Sequence, residues 1–323
     1  MLERILSGST SMEYLVNKID FQYKDTAVAL GKFEGLHLGH QRLFHELTQW
    51  KKDGLKSVVF TFDMPPKLLI DGIQENVIYT KKEREFLLEQ FGMDVMIVYP
   101  FKELRMLSPE AFVSEILVKR LDVKAIVVGE DFGFGYKRAG NIQLLQELSK
   151  VYGYQLTVVH KLQYQGEDIS SSRIRRALMD GNLELANKML GHPYTMVGEV
   201  VHGRQLGRTI GIPTANIFPD KRKYLPENGV YVARIHIEGE ERVYYGICNI
   251  GVKPTIDQNL QRGVETFLFD FQYDIYGKNI FVELLHFVRP EMKFASVEQL
   301  SAQIHNDAEF GRNYVKKFSF TIK

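Results

Sequence analysis

The sequence predicts two folds in tandem: a doubly wound, parallel α/β sheet, then a small antiparallel six-stranded β-barrel with a C-terminal helix. Three observations predict it. Up to about residue 190, short apolar runs such as VVF, VMIV and AIVV alternate with helix-like stretches, the pattern of parallel strands buried on both faces. Beyond that point the apolar period changes to two, as over 230–237, where Tyr231, Ala233, Ile235 and Ile237 fall on one face. Between the two grammars, Asp180-Gly181-Asn182 and Gly191-His192-Pro193 bracket a short helix and punctuate the chain. The domains are therefore drawn at 1–188 and 189–323.

In the first domain, strands are expected over 26–31, 56–62, 94–99, 124–129 and 155–160. Thr80 and Glu83 are spaced as a capping box, opening a helix that carries Phe86, Leu87 and Phe91. Ser108 offers an N-cap with Pro109 at the first helical position, ahead of Phe112, Ile116 and Leu117. A short helix is expected over 183–190. In the second domain, strands are expected over 195–202, 214–218, 230–237, 242–250, 264–271 and 281–288, separated by Gly, Pro and Asn turns. A helix of roughly 296–307 closes the chain.

Composition narrows the function. The 323 residues are 45% hydrophobic and 25% charged, with a formal net charge of +1. Basic and acidic residues number 25 and 25 before residue 190, then 16 and 15 after it. Neither half is a polycation, which argues against non-specific nucleic-acid binding. The single cysteine, Cys248, excludes an internal disulfide and a Cys-rich zinc site, and suits a reducing compartment. The first residues lack the apolar core of a signal peptide, and about 18 apolar residues never run together. A soluble cytoplasmic protein without a membrane partner is expected.

Two stretches of the first domain carry chemistry. The first strand runs into Gly31-Lys-Phe33-Glu-Gly35-Leu-His37-Leu-Gly39-His40. Glycines after a strand let the backbone approach a ligand, and the following helix N-terminus suits phosphate. His37 and His40, three apart, share a face if helical, and can donate hydrogen bonds to charge developing on a polyphosphate. The alternatives are a pair of metal ligands or two surface histidines. The second stretch is Ile169-Ser-Ser171-Ser172-Arg173-Ile-Arg175-Arg176. Arginines in a first turn oppose the helix dipole, which makes sense if a polyanion sits opposite. A capped surface helix with solvated arginines is the alternative.

These motifs resemble the FMN adenylyltransferase module of bacterial bifunctional riboflavin kinase/FAD synthetases, a nucleotidyltransferase fold. The stretch from Val127 to Gly135, with Asp131 and Phe132, and the following Arg138-Ala-Gly140 resemble that family's flavin- and nucleotide-side loop. In the second domain, His202-Gly203, Gly207-Arg208, Gly211 and Pro213-Thr214-Ala-Asn216 resemble the flavokinase signature. By spacing alone, Thr214 and Asn216 offer two neutral oxygens on one face of an extended segment, which can complete a magnesium shell or simply end a turn.

The resemblance spans essentially the whole chain, and what it implies is specific. ATP and Mg2+ would serve two reactions, riboflavin to FMN and FMN to FAD. Glu265 would be the base that takes the proton of the riboflavin hydroxyl, with Thr214 and Asn216 at the metal. Gly203, Arg208 and Gly211 would hold that ATP. Gly31, Phe33, Gly35, His37, Gly39, His40, Ser171, Ser172, Arg173 and Arg175 would handle the second ATP. Asp131, Phe132 and Arg289 would meet flavin. Segments 229–231, 249–255 and 289–294 match the module as framework and pocket flaps.

The chain departs from the pattern in places. Glu34 stands for the aspartate of G-x-F-D-G, and Pro65 for a histidine in T-F-x-P-H-P. Gly133 and Leu206 replace frequent arginines. The expectation is a complete kinase site beside a weakened or altered adenylyltransferase site; the alternatives are a kinase alone, with the first domain a nucleotide-binding or structural module, and a non-catalytic flavin-binding sensor.

Overall fold

A computed structural model of the chain describes residues 12–62, 76–203, 212–254 and 260–321. It forms two compact units, Met1–Glu75 with Arg84–Ser171, and Asn76–Glu83 with Ser172–Lys323. The short stretch Asn76–Glu83 thus packs with the second unit, although it lies deep within the first half of the sequence.

The strands of the first unit are β1 (Glu13–Val16), β2 (Thr26–Leu30), β3 (Lys56–Phe62), β4 (Val95–Tyr99), β5 (Val123–Gly129) and β6 (Gln155–Val159). They form one sheet in the order β1-β4-β3-β2-β5-β6, and every pairing is parallel. All five residues of β2 and of β4 are buried, which is why they read as unbroken apolar runs. The chain winds outward from β2 through β3 to β4, then returns to β5 on the other side of β2. The carboxyl ends of β2 and β5 therefore flank the point where the winding reverses, the usual ligand crevice of such sheets. Edge strand β1 was not expected from sequence, because four residues are too few to show a period.

The helices and connections follow their local signals. Helix α1 (Leu38–Trp50) follows β2, and α2 (Lys81–Gln90) opens at the capping box. There the Thr80 amide donates to Glu83 Oε2 at 2.7 Å. Short helices α3 (Phe101–Leu104) and α4 (Pro109–Ala111) come next, α4 capped by Ser108 and passing into a π-helical stretch, Phe112–Val118. That wider winding buries Phe112, Val113, Ile116 and Leu117 together. Helix α5 (Ile142–Tyr152) precedes β6, and the ribbon β7 (Gln163–Tyr164) with β8 (Glu167–Asp168) precedes α6 (Ser171–Met179) and α7 (Leu183–Leu190).

The second unit holds β9 (Tyr194–Glu199), β10 (Ala215–Ile217), β11 (Gly229–Ile237), β12 (Val243–Pro254), β13 (Leu260–Leu268) and β14 (Asn279–Pro290). Their antiparallel order is β10-β13-β12-β11-β14-β9. An isolated bridge between Val201 and Asn216 draws the two edges together and curls the sheet toward the expected barrel. Helix α8 (Val297–Thr321) is longer than the sequence suggested. A Cβ on Gly311 would sit 2.9 Å from the Phe269 ring and 3.1 Å from Ile247. The glycine lets the helix run on in close contact with the sheet, where Ala308 and Ile304 pack on Val230, Ile247 and Phe269.

Asn76–Glu83 is fastened to the second unit by a buried ion pair. The side chains of Lys223 and Glu83 are both fully buried, 2.9 Å apart. Lys223 Nζ also donates to the carbonyls of Ile78 and Thr195, each at 2.6 Å, and lies between the rings of Tyr79 and Tyr194. Glu83 accepts in addition from the Val197 amide at 3.0 Å.

Candidate active sites

The first site grows from the carboxyl end of β2. Two non-glycine residues of the loop after it adopt left-handed backbone, Phe33 (φ 47) and Leu36 (φ 45), and both are fully buried. Such residues cost about 1–3 kcal/mol each and persist where the surroundings enforce them. The enforcement is visible. Thr61 Oγ1 donates to the Lys32 carbonyl at 3.0 Å, and Gln41 Nε2 to the Leu36 carbonyl at 2.8 Å. Phe33 packs its ring edge-on to His40 and against Phe44, both with centroids at 5.2 Å. These rings crowd Gly31 and Gly39. A Cβ on Gly31 would come within 2.9 Å of Phe33, and one on Gly39 within 3.2 Å of the His37 ring.

His37 is the N-cap of α1 and His40 lies in its first turn. Their rings stack with centroids 3.7 Å apart. Burial pulls the His37 imidazole down to about 4. It pulls His40 well below its ordinary value too, with His37 adding repulsion. Both rings are therefore neutral near pH 7, each with one N–H to donate. Their Nδ1 atoms are buried and have no hydrogen-bond partner among the described residues. Beside this loop, β5 ends at Gly129. Asp131 is exposed and pairs with Lys161 at 3.1 Å, while Phe132 is partly buried and stacks on Phe134. Arg138 lies over Gly133, within 3.1 Å of where a Cβ there would be. The structure so brings together Gly31, Phe33, Gly35, His37, Gly39, His40, Asp131 and Phe132 at one end of one sheet. Ser171, Ser172, Arg173 and Arg175 stand at the head of α6.

The second site is a row across the barrel. Asn216 on β10 lies opposite Glu265 on β13, and Glu265 opposite Asn249 on β12. Asn249 lies opposite Val230 on β11, and Val230 opposite Arg289 on β14. Directly paired residues share a face of a sheet, so five strands present one line of side chains. Thr214 Oγ1 donates to Glu265 Oε1 at 2.7 Å, and Lys253 Nζ to Oε2 at 3.0 Å. Burial pushes the Glu265 carboxyl up, but the Lys253 ammonium and the two hydrogen bonds outweigh it and hold it below its ordinary value.

The ends of the row are fixed as well. The Asn216 amide covers Gly203, where a Cβ would meet Nδ2 at 2.5 Å. Arg289 is clamped by the buried Asp307 of α8, through Nε at 3.0 Å and Nη2 at 2.7 Å. A cavity of about 1170 Å³ on the same unit, between Phe218 and Arg262, does not include Glu265, Thr214 or Asn216 in its wall. Arg208, Gly211, Leu206 and Pro65 lie outside the described residues.

Residues 20–173 match the family model of FAD synthetase and residues 190–315 that of riboflavin kinase. The chain belongs to the bifunctional riboflavin kinase/FMN adenylyltransferase family. A member from Escherichia coli (strain K12) is 37% identical over 290 residues, 89% of this chain and 92% of that protein. One from Buchnera aphidicola subsp. Schizaphis graminum is 36% identical over 296 residues, 90% of this chain and 94% of that one. A crystal structure described as a macrolide-efflux protein from Streptococcus pneumoniae superposes with a TM-score of 0.76 at 33% identity, covering 94% of this chain and 99% of that one. No helix among the described residues is long and apolar enough to cross a membrane.

Membership of this bifunctional family makes the chain a riboflavin kinase and an FMN adenylyltransferase, with ATP, riboflavin, FMN and FAD as substrates and products. Sequence reasoning missed Lys253 as a partner of Glu265 and treated Asn249 as framework. Both sit at alternate positions of one strand, but only the register of β12 on β13 reveals what they face.

Proposed function

We propose that Glu265 is the base of the kinase step and that the stacked histidines serve the adenylyltransferase step. The observation that carries the first assignment is the position of Glu265, between Asn216 and Asn249, with one oxygen on Thr214 and the other on Lys253. A carboxylate kept ionised by a lysine is in the form that can accept the proton of the riboflavin 5′-hydroxyl. The hydroxyl oxygen then attacks the γ-phosphorus of ATP, the bond to the β-γ bridging oxygen breaks, and ADP leaves. Thr214 and Asn216 supply neutral oxygens beside that carboxylate, a donor set that suits a hard cation. They would hold Mg2+, which neutralises phosphate charge when bound. Gly203 lets the backbone pass beneath Asn216, and the clamped Arg289 walls the far end of the row, offering flavin its remaining N–H groups or its planar face.

In the first unit, the phosphate oxygen of FMN attacks the α-phosphorus of ATP and pyrophosphate leaves. Neutral His37 and His40 donate hydrogen bonds to charge that develops there, and the free amides at the head of α1 do the same. Phe33, fully buried, backs His40 rather than meeting a ligand with its ring. Asp131 and Phe132 stand across from the loop on the flavin side. Ser171 closes the first unit, and Ser172, Arg173 and Arg175, which follow it at the head of α6, belong to the second; a helix start of this kind suits an anion. Glu34 places its carboxyl one methylene further out than aspartate, and Pro65 lacks the ring donor of a histidine. A displacement of that size can cost about 10²-fold, so the adenylyltransferase step is the slower one.

Purified protein incubated with riboflavin, Mg2+ and ATP, with FMN and FAD separated by chromatography over time, tests this. FMN should accumulate first and FAD follow slowly, and a parallel reaction from FMN should show the same slow step. Glu34→Asp combined with Pro65→His should speed FAD formation alone. FAD appearing as fast as FMN, with no gain from those substitutions, would refute the slow second step. Neither product would refute the catalytic assignments altogether.

A further inference from the structure

We propose that Asn249 binds a secondary hydroxyl of the acceptor's polyol side chain, next to the hydroxyl served by Glu265, and so selects a polyhydroxylated acceptor. The inference rests on the kinase assignment of the preceding section. Asn249 lies directly opposite Glu265, at a pairing where Cβ atoms stand about 4.5–5.5 Å apart. That is near the spacing of functional groups a carbon or two apart on an alcohol chain. On the other side lies Val230, only 6% exposed and covered by α8, so the amide is walled by apolar packing there and meets polar chemistry on the Glu265 side.

The Oδ1 atom of Asn249 is buried and has no hydrogen-bond partner among the described residues. An acceptor left in that state is costly, and it is unusual enough to call for an explanation. Its polar neighbour does not supply one, because both Glu265 oxygens already accept hydrogen bonds, from Thr214 and Lys253. A ligand hydroxyl can bring the donor. An alcohol fits whichever way the amide is turned, since a hydroxyl both donates and accepts. A secondary hydroxyl of the ribityl chain lies within reach once the primary one is at Glu265. Asn249 acts here as a binding residue and takes no proton in the reaction.

The experiment compares two acceptors: riboflavin, and an isoalloxazine carrying a 5-hydroxypentyl chain, which keeps the primary alcohol and lacks the secondary ones. Formation of each phosphorylated product is measured as kcat/KM for the wild-type chain, Asn249→Leu and the smaller change Asn249→Ser. The wild type should prefer riboflavin, and the leucine variant should lose about 10-fold on riboflavin and little on the analogue. The preference then shrinks by the same factor, and the serine variant falls between. A preference unchanged in both variants, or an equal loss on both acceptors, would overturn the role of Asn249 while leaving the kinase reading intact. No FMN from riboflavin with the wild-type chain would overturn the kinase reading itself, and this inference with it.

Discussion

Replacing Lys223 by methionine should lower the melting temperature of the second unit and leave that of the first unchanged. In the native structure the Lys223 ammonium and the Glu83 carboxylate are fully buried, 2.9 Å apart. Methionine keeps the packing of the stem between the Tyr79 and Tyr194 rings, and its sulfur tolerates aromatic neighbours. What disappears is the charge. Glu83 keeps only the amides of Thr80 and Val197, at 2.7 and 3.0 Å. The Ile78 and Thr195 carbonyls both lose their bond to Lys223, since the single proton of the Tyr194 hydroxyl has a nearer acceptor in the Tyr224 carbonyl at 2.5 Å. Removing one partner of a buried pair costs about 3–5 kcal/mol. For a unit of this size each kcal/mol moves the midpoint by about 2–4 °C, so a fall on the order of 10 °C is expected.

Scanning calorimetry is the assay, because two compact units should give separable transitions and only one should move. The double variant Lys223→Met with Glu83→Gln discriminates further. A neutral pair removes the unpaired buried charge, so the double variant should recover about half of the loss. A single variant melting within about 2 °C of the wild type would refute the reasoning. So would a double variant no better than the single one.

Three further outcomes test the chemistry. Glu265→Gln should lower FMN formation by about 10²–10⁴-fold and leave FAD formation from supplied FMN unchanged, measured by product chromatography. His40→Ala should do the reverse, keeping FMN formation within about 2-fold while FAD formation drops about 10²-fold; equal losses in both steps would contradict the division of labour. Lys253→Met removes the main group that holds the Glu265 carboxyl below its ordinary value and leaves burial, which acts upward. Because the ionised carboxylate is the active form, FMN formation is lost as pH falls through the folded-state value. The acid limb of the pH–rate profile should therefore move to higher pH in the variant, and an unmoved limb would count against Lys253.

Strands β2 to β5 of the first unit were legible because burial on both faces leaves an apolar run that needs no partner to be recognised. The capping box at Thr80 and the N-cap at Ser108 were legible for a similar reason, since each is satisfied within four residues. Edge strand β1 was not, and neither was the length of α8, which runs on past Gly311 in close contact with the sheet. The loop from Gly31 to His40 showed its residue types, while the left-handed Phe33 and Leu36 that aim it became visible only with the fold.

The sequence by itself determined the two fold types, the order in which they come and the motifs from which the two sites are proposed. These follow from local periodicity and from motifs short enough to fold as a piece. Tertiary structure alone decided that Glu83, a capping residue by its spacing, ends buried against Lys223, and that Asn216, Glu265, Asn249 and Arg289 stand in one row. It also gave Glu265 its lysine. Pairing between strands is set by the whole sheet, because a slip of one residue turns every side chain to the opposite face, and no local pattern contains that information.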